Sequence, residues 1–276
     1  IYYYCFVSRR KLTFVQLFLQ SVFMFKRCVC FTWFALVALG GPAKAEETFD
    51  PLTLVTQSID QTRGLSSYAE INMLIKRPSW QRESTLYAWT RGREDALIRF
   101  VAPARDAGNA LLKQGDKMWT FNPKLNKSIR LPGGMMSQSW AGSDFSYDDM
   151  SRSDKWIKYY RLEHVDTAVS DGLKTYTIDA IPFDDAPVVW GKERLRIRED
   201  SVLIEALYYD QDMQPLRRMV TTEIGELGGR VMATSMRMMD LEKPDSFTEV
   251  RYDAMDFDVA LEDRLFTLFS LQSRNR

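Results

Sequence analysis

From residue 68 onward the chain alternates between apolar and other side chains. Ala69, Ile71, Met73 and Ile75 alternate with Tyr68, Glu70, Asn72 and Leu74. Thr85, Tyr87 and Trp89 alternate with Leu86 and Ala88, and Ala96, Ile98 and Phe100 with Leu97 and Arg99. A period of two is the mark of β-strands. Similar runs cover 109–114, 118–121, 127–131, 156–163, 175–181, 188–198, 203–209, 216–224, 231–240 and 247–253. Turn signals separate them, among them Gly115-Asp116, Asp184-Asp185, Asp210–Asp212, Gly228-Gly229 and Lys243-Pro244-Asp245, and short Gly-containing connections predict hairpins. Helical spacing shows at the front: Asp50-Pro51 reads as an N-cap with proline at the first position, Leu52, Val55 and Ile59 form one stripe, and Gly64 ends it. A short helix or turn over Leu261–Leu265 closes the chain.

These elements predict a mainly β, α+β domain over residues 46–276: one antiparallel meander of about ten or eleven strands, too many to stay flat, hence a curved sheet or an incomplete β-barrel. Several strands carry large apolar groups on both faces, where a sheet with one wet face would alternate cleanly. One face is expected to pack on the helix and the other to line a hollow. Alternation assigns Ile71, Met73, Tyr87, Trp89, Ile98, Phe100, Trp119 and Phe121 to the hollow, and a one-residue slip would turn any of those strands inside out.

The stretch 115–150 interrupts the meander. Lys117–Phe121 and Lys127–Leu131 are strands, and then come Pro132-Gly133-Gly134, Met135, Met136, Trp140, Phe145, Tyr147 and Met150, with Asp144, Asp148 and Asp149 between. Long loops are mostly functional or disordered, and this one holds too many large apolar groups for water. It is either a mobile lid over an apolar cavity, hinged at Gly133, Gly134 and Gly142, or a plug in an ordinary core. The three aspartates are expected to solvate its outer side.

Residues 1–45 stand apart. Lys26-Arg27, the apolar run Cys28–Leu39 and Ala43-Lys44-Ala45 form a secretory signal expected to be cleaved after Ala45, with Met24 as the expected start and residues 1–23 as upstream sequence. Cys5, Cys28 and Cys30 all precede the cleavage point, so the exported chain has no disulfide, which fits a bacterial periplasm. Removing the six basic residues of this segment leaves 31 basic against 37 acidic residues. An acidic balance disfavours nucleic acid and anionic lipid surfaces as partners, and a monomer is expected.

Candidate chemistry is sparse. The one histidine, His164, has no nucleophile motif around it. Asp144, Asp148 and Asp149 have the ligand type for a hard cation, but capping a short helix is the simpler role. The other carboxylate pairs sit in turns or helix starts. No catalytic residue, metal or cofactor is therefore expected. A basic row, Lys192, Arg194, Arg196 and Arg198, is either a docking face or a strand face paired with cross-strand carboxylates.

Asp116–Pro123, Lys127–Arg130, Gly142–Met150 and Leu265–Leu268 resemble the outer-membrane lipoprotein-sorting protein family, relatives of the periplasmic lipoprotein carrier LolA. The resemblance spans 46–276 and is most specific at 142–150. It implies an incomplete barrel wrapped over helices, an apolar cavity that takes up the acyl chains of a lipid or lipoprotein, and transfer towards the outer membrane. It also implies association with an inner-membrane exporter of the resistance-nodulation-division (RND/MMPL) type, beside which a cargo-free accessory or sensor is the alternative. The chain is longer than the carrier, with an extended 132–155 segment. The cargo is left open between a lipoprotein acyl group, a phospholipid and another hydrophobic molecule.

Overall fold

The computed structural model describes residues 49–151 and 154–273. The expected signal segment and its cleavage point lie outside them.

Helix α1 spans Pro51–Arg63. The Asp50 carboxylate accepts the backbone N–H of Leu52 and of Thr53, each at 3.1 Å, and the Thr53 hydroxyl at 2.6 Å. Gly64 follows with φ +61° and ψ −163°, a backbone conformation open chiefly to glycine. The buried face is Leu54, Val55, Ser58 and Ile59, whereas Leu52, expected in the stripe, is exposed. Replacing Asp50 by alanine should lower the urea midpoint by the equivalent of about 1 kcal/mol with an unchanged slope.

Among the described residues thirteen strands follow, rather than ten or eleven: β1 Ser66–Arg77, β2 Trp80–Arg91, β3 Asp95–Ala102, β4 Ala110–Gln114, β5 Lys117–Asn122, β6 Lys127–Arg130, β7 Tyr160–Ser170, β8 Leu173–Pro182, β9 Lys192–Arg198, β10 Leu203–Tyr209, β11 Pro215–Leu227, β12 Arg230–Asp240 and β13 Phe247–Phe257. The two shortest, β4 and β6 with five and four residues, fall on the runs read from the sequence at 109–114 and 127–131. The run expected as a strand from Trp156 opens instead with a helical turn, and β9 begins at Lys192 rather than Val188.

All thirteen form one antiparallel sheet in the order β6-β5-β4-β3-β2-β1-β13-β12-β11-β10-β9-β8-β7. Every neighbouring pair is a hairpin except β1–β13, which joins the two ends of the meander. The sheet is not closed; β6 and β7 are its edges. The chain therefore leaves β6 at one edge and re-enters at β7 on the other, so the connection 131–159 must cross the width of the sheet. That topology accounts for the length of the segment.

Register shifts at Glu70/Ile71, Thr85/Leu86 and Thr221–Ile224 bend the strands. Helix α1 touches β7, β9 and β12, and Arg63 at its end bonds the Gly92 carbonyl in the β2–β3 turn at 2.9 Å. The sheet thus curls around α1, which defines an inner face. Helices α2, Tyr147–Ser151, and α3, Lys155–Lys158, belong to the crossing segment. The outer face is covered as well: a 3-10 turn, Asp263–Phe266, and α4, Leu268–Gln272, bury Phe266 and Leu271 against Leu97, Ala110, Leu112 and Phe121. Helices sit on both faces of the sheet, a correction to a barrel simply wrapped over them.

A candidate apolar binding site on the inner face

The inner face of β1–β3 is built from small residues at the end facing Arg63. Ser67 and Ala69 on β1 pair with Thr90 and Ala88 on β2, and Thr90 pairs in turn with Ala96 on β3. Short side chains cannot reach α1 and the crossing segment, so a cavity of about 240 Å³ remains, closed further along by Ile71, Met73, Leu86 and Ile98. A second cavity of about 280 Å³ lies between α1 and the inner face of β10–β13, among Met219, Met232, Met238 and Tyr208. Arg63, Phe145, Asp149, Met150, Met236 and Tyr252 line both, so the two adjoin across the crossing segment. Together they fall in the size range of small-ligand pockets, about 300–1,000 Å³.

The crossing segment roofs this space. Trp140 and Phe145 are buried, with Trp140 tilted against Phe100 at a ring separation of 5.6 Å. Met135, Met136, Tyr147 and Met150 pack around the same core. Ser146 and Asp149 form a capping box at the start of α2: the Ser146 N–H donates to the Asp149 carboxylate at 2.7 Å, and the Asp149 N–H to the Ser146 hydroxyl at 3.2 Å. Three arginines of the sheet strap the roof down. Arg77 reaches the Asp144 carboxylate at 3.0 Å and the Gly142 carbonyl at 3.1 Å. Arg82 bonds the Ala141 carbonyl, and Arg217 bonds both the Asp144 carbonyl and the Asp149 carboxylate, the latter at 2.9 Å. Thr248 donates to Asp144 at 2.7 Å. Burial pushes the Asp149 carboxyl up, but Arg217, Lys155 and the Ser146 bonds outweigh it and hold it below its ordinary range. The three aspartates, expected to solvate an outer side, are turned inward: Asp144 and Asp149 anchor the roof and Asp148 is buried.

A second polar cluster follows at once in the chain. Glu193 on β9 is fully buried; it forms an ion pair with Lys155 at 2.8 Å and accepts from Trp156 Nε1 at 2.6 Å and from the Tyr160 hydroxyl at 2.6 Å. It fixes α3 and the start of β7 to the sheet. Alternation puts residue 193 on the same face as Leu195 and Ile197; an acidic residue in that row is the signal that sequence reasoning passed over.

Of the residues assigned to the hollow by sequence, Ile71, Met73, Ile98, Trp140, Phe145 and Met150 line it. Phe100, Met135, Met136 and Tyr147 pack in the core around it. Tyr87, Trp89, Trp119 and Phe121 do not; they point to the outer face. Tyr87 meets Tyr68 edge-on and Trp89 tilts against it, and the two flank an outer groove with Arg99 and Pro123. Trp119 and Phe121 pack under the C-terminal elements. The reason is register. Leu86 and Ala88 share the inner face with Ile98 and Phe100, and Leu111 and Met118 continue it across β4 and β5.

His164 lies on the edge strand β7, its Nε2 2.8 Å from the Thr167 hydroxyl and its ring edge-on to Phe49. In the basic row, Lys192 and Arg194 share Asp179 at 3.2 and 2.6 Å, Arg196 meets Glu205 at 2.9 Å and Arg198 meets Asp200. All four cations are thus spoken for by carboxylates, as on a solvated strand face. Among the described residues no group of three His, Cys, Asp or Glu is arranged to hold a metal.

A family model described as "-like: Uncharacterized protein" matches residues 92–273, from the β2–β3 turn to the end of α4. The chain belongs to that family. Three solved structures share the fold. A DUF1329 family protein from Desulfovibrio piger is 22% identical with a TM-score of 0.73, covering 81% of this chain and all of that one. A putative outer membrane lipoprotein-sorting protein domain from Vibrio parahaemolyticus is 19% identical, TM-score 0.72, covering 81% and 98%. A LolA superfamily protein from Nitrosomonas europaea is 18% identical, TM-score 0.68, covering 80% and 99%. The fold is therefore LolA-like, as the sequence resemblance implied. No curated protein matches the chain.

Proposed function

We propose that the protein is a periplasmic carrier that takes the acyl chain of a lipid or lipoprotein into the inner-face hollow for transfer towards the outer membrane. Residues 24–45 serve as its export signal, cleaved after Ala45. The observation that carries this reading is the pair of adjoining apolar cavities between a curled sheet, α1 and a roof strapped down by arginines. An acyl chain gains ~0.8 kcal/mol per methylene buried, so such a space holds cargo without directional chemistry and without catalysis. The LolA-like fold and the lipoprotein-sorting name of one structural neighbour support the same reading. Association with an exporter of the resistance-nodulation-division type is proposed on the resemblance alone.

Lipid extraction and native mass spectrometry of protein purified from the periplasm test the proposal. A bound acyl species is expected; a protein that emerges empty and takes up no fluorescent fatty acyl probe would refute it. Placement of the site has its own test. Ala88→Trp, which fills the hollow, should abolish probe uptake, whereas Trp89→Ala on the outer face should leave it within about twofold. The opposite pattern would move the site to the outer groove.

A further inference from the structure

The point where the two cavities meet is not wholly apolar. Arg63, the last residue of α1, lines both. Its guanidinium spends one N–H on the Gly92 carbonyl at 2.9 Å and one on the Asp95 carbonyl at 3.4 Å. An arginine has five such donors, so three remain. Among the described residues no carboxylate lies within ion-pair distance of it. The nearby acids are engaged elsewhere: Asp60 forks onto Arg93 at 2.7 and 2.8 Å, and Asp154 pairs with Lys158 at 2.7 Å. Among the described residues the one carboxylate lining the cavities, Asp149, is neutralised by Arg217, and the other lining cation, Lys155, by Glu193. Arg63 is thus the cation in the hollow whose charge no contact offsets. Burial pulls it below its ordinary pKa, with Tyr252, Asp154 and Asp60 opposing, the two carboxylates from beyond ion-pair distance. Tyr252 lines both cavities as well, and no other described residue ties down its hydroxyl.

An uncompensated guanidinium and a free phenol hydroxyl at the junction of two apolar arms make an anion seat. Buried polar groups are costly unless paired, and a charge-assisted bond to an oxyanion is the strong way to pair a guanidinium. We propose that the cargo is an amphiphile with an anionic head, a carboxylate or a phosphate monoester, which docks on Arg63 and Tyr252 while its chain lies in the adjoining arms. This rests on the carrier reading above and names its ligand class.

Displacement of a fluorescent acyl probe by oleate, by oleoyl lysophosphatidate and by oleyl alcohol tests it, on the wild type and on Arg63→Gln, Arg63→Lys and Tyr252→Phe. One or both anionic ligands should bind about ten- to a hundredfold more tightly than the alcohol. Which of them does so tells a carboxylate head from a phosphate. The preference should vanish in Arg63→Gln, persist in Arg63→Lys and weaken in Tyr252→Phe. Equal affinity for the alcohol and both anions on the wild type, a comparison that needs no variant to fold, would overturn the anion seat and leave the carrier reading standing. Failure of all three ligands to displace the probe would overturn the seat too, and absence of probe binding would overturn both readings.

Discussion

Replacing Glu193 by alanine should destabilise the protein by about 3–5 kcal/mol, a large share of the stability of an ordinary domain. Glu193 is fully buried, and so, nearly, is its partner Lys155 at 2.8 Å. Removing the carboxylate leaves an ammonium in the core without its counter-ion and breaks the bonds from the Trp156 indole N–H and the Tyr160 hydroxyl to Glu193. Replacing both ends by apolar residues of similar size, Glu193→Met with Lys155→Met, should cost distinctly less than Glu193→Ala, because an unpaired buried charge is worse than no charge. Urea unfolding of the three proteins checks this. If the single and double variants lose the same stability, the cost lies in packing and not in the stranded charge. The consequence reaches the site: the cluster pins the end of the crossing segment to β9, so the single variant should also loosen the roof.

Period-two alternation read the meander well, and helical spacing with its caps the front helix, because each element's pattern is local. Which face looks inward is not local. β2 offers Tyr87 and Trp89 on one face and Leu86 and Ala88 on the other, and nothing within the strand tells them apart. The choice is made across strands, by the pairing of Ala88 with Ala69 and Ile98, and by a C-terminal segment that covers the outer face and lets it carry aromatic groups. Size misled as well. A hollow is made where side chains are short, so Ser67, Ala69, Ala88, Thr90 and Ala96 marked it, while the large residues were sought. The roof was legible in its apolar content, since Trp140, Phe145 and Met150 do face the hollow. Its aspartates were misread because their partners, Arg77, Arg217 and Thr248, lie some 67 to 104 residues away in sequence.

Those partners set the second large effect. Arg217→Met should cost about 3–5 kcal/mol, since it leaves the buried Asp149 carboxylate without its cation. Part of the loss should be confined to the roof. The amides of 139–151 hold that segment together through bonds such as Trp140 N–H to the Phe145 carbonyl at 2.8 Å and Asp148 N–H to the Met136 carbonyl at 2.8 Å. In Arg217→Met these amides should exchange hydrogen faster than those of β1 and β13, because a strap that opens locally does so below the free energy of global unfolding. Bound probe should leave faster in step. The same pair carries a pH dependence. Asp149 is held below its ordinary 3.8 in the folded protein, so its contribution is fully present above that value and is lost as the pH falls through the lower, folded one. The stability gap between wild type and Asp149→Asn should therefore be constant near neutrality and close only below about pH 4. A gap that already narrows between pH 5 and 7 would place the titrating group elsewhere. Equal exchange rates across roof and sheet in Arg217→Met would make the crossing segment a plug that moves only when the whole sheet unfolds.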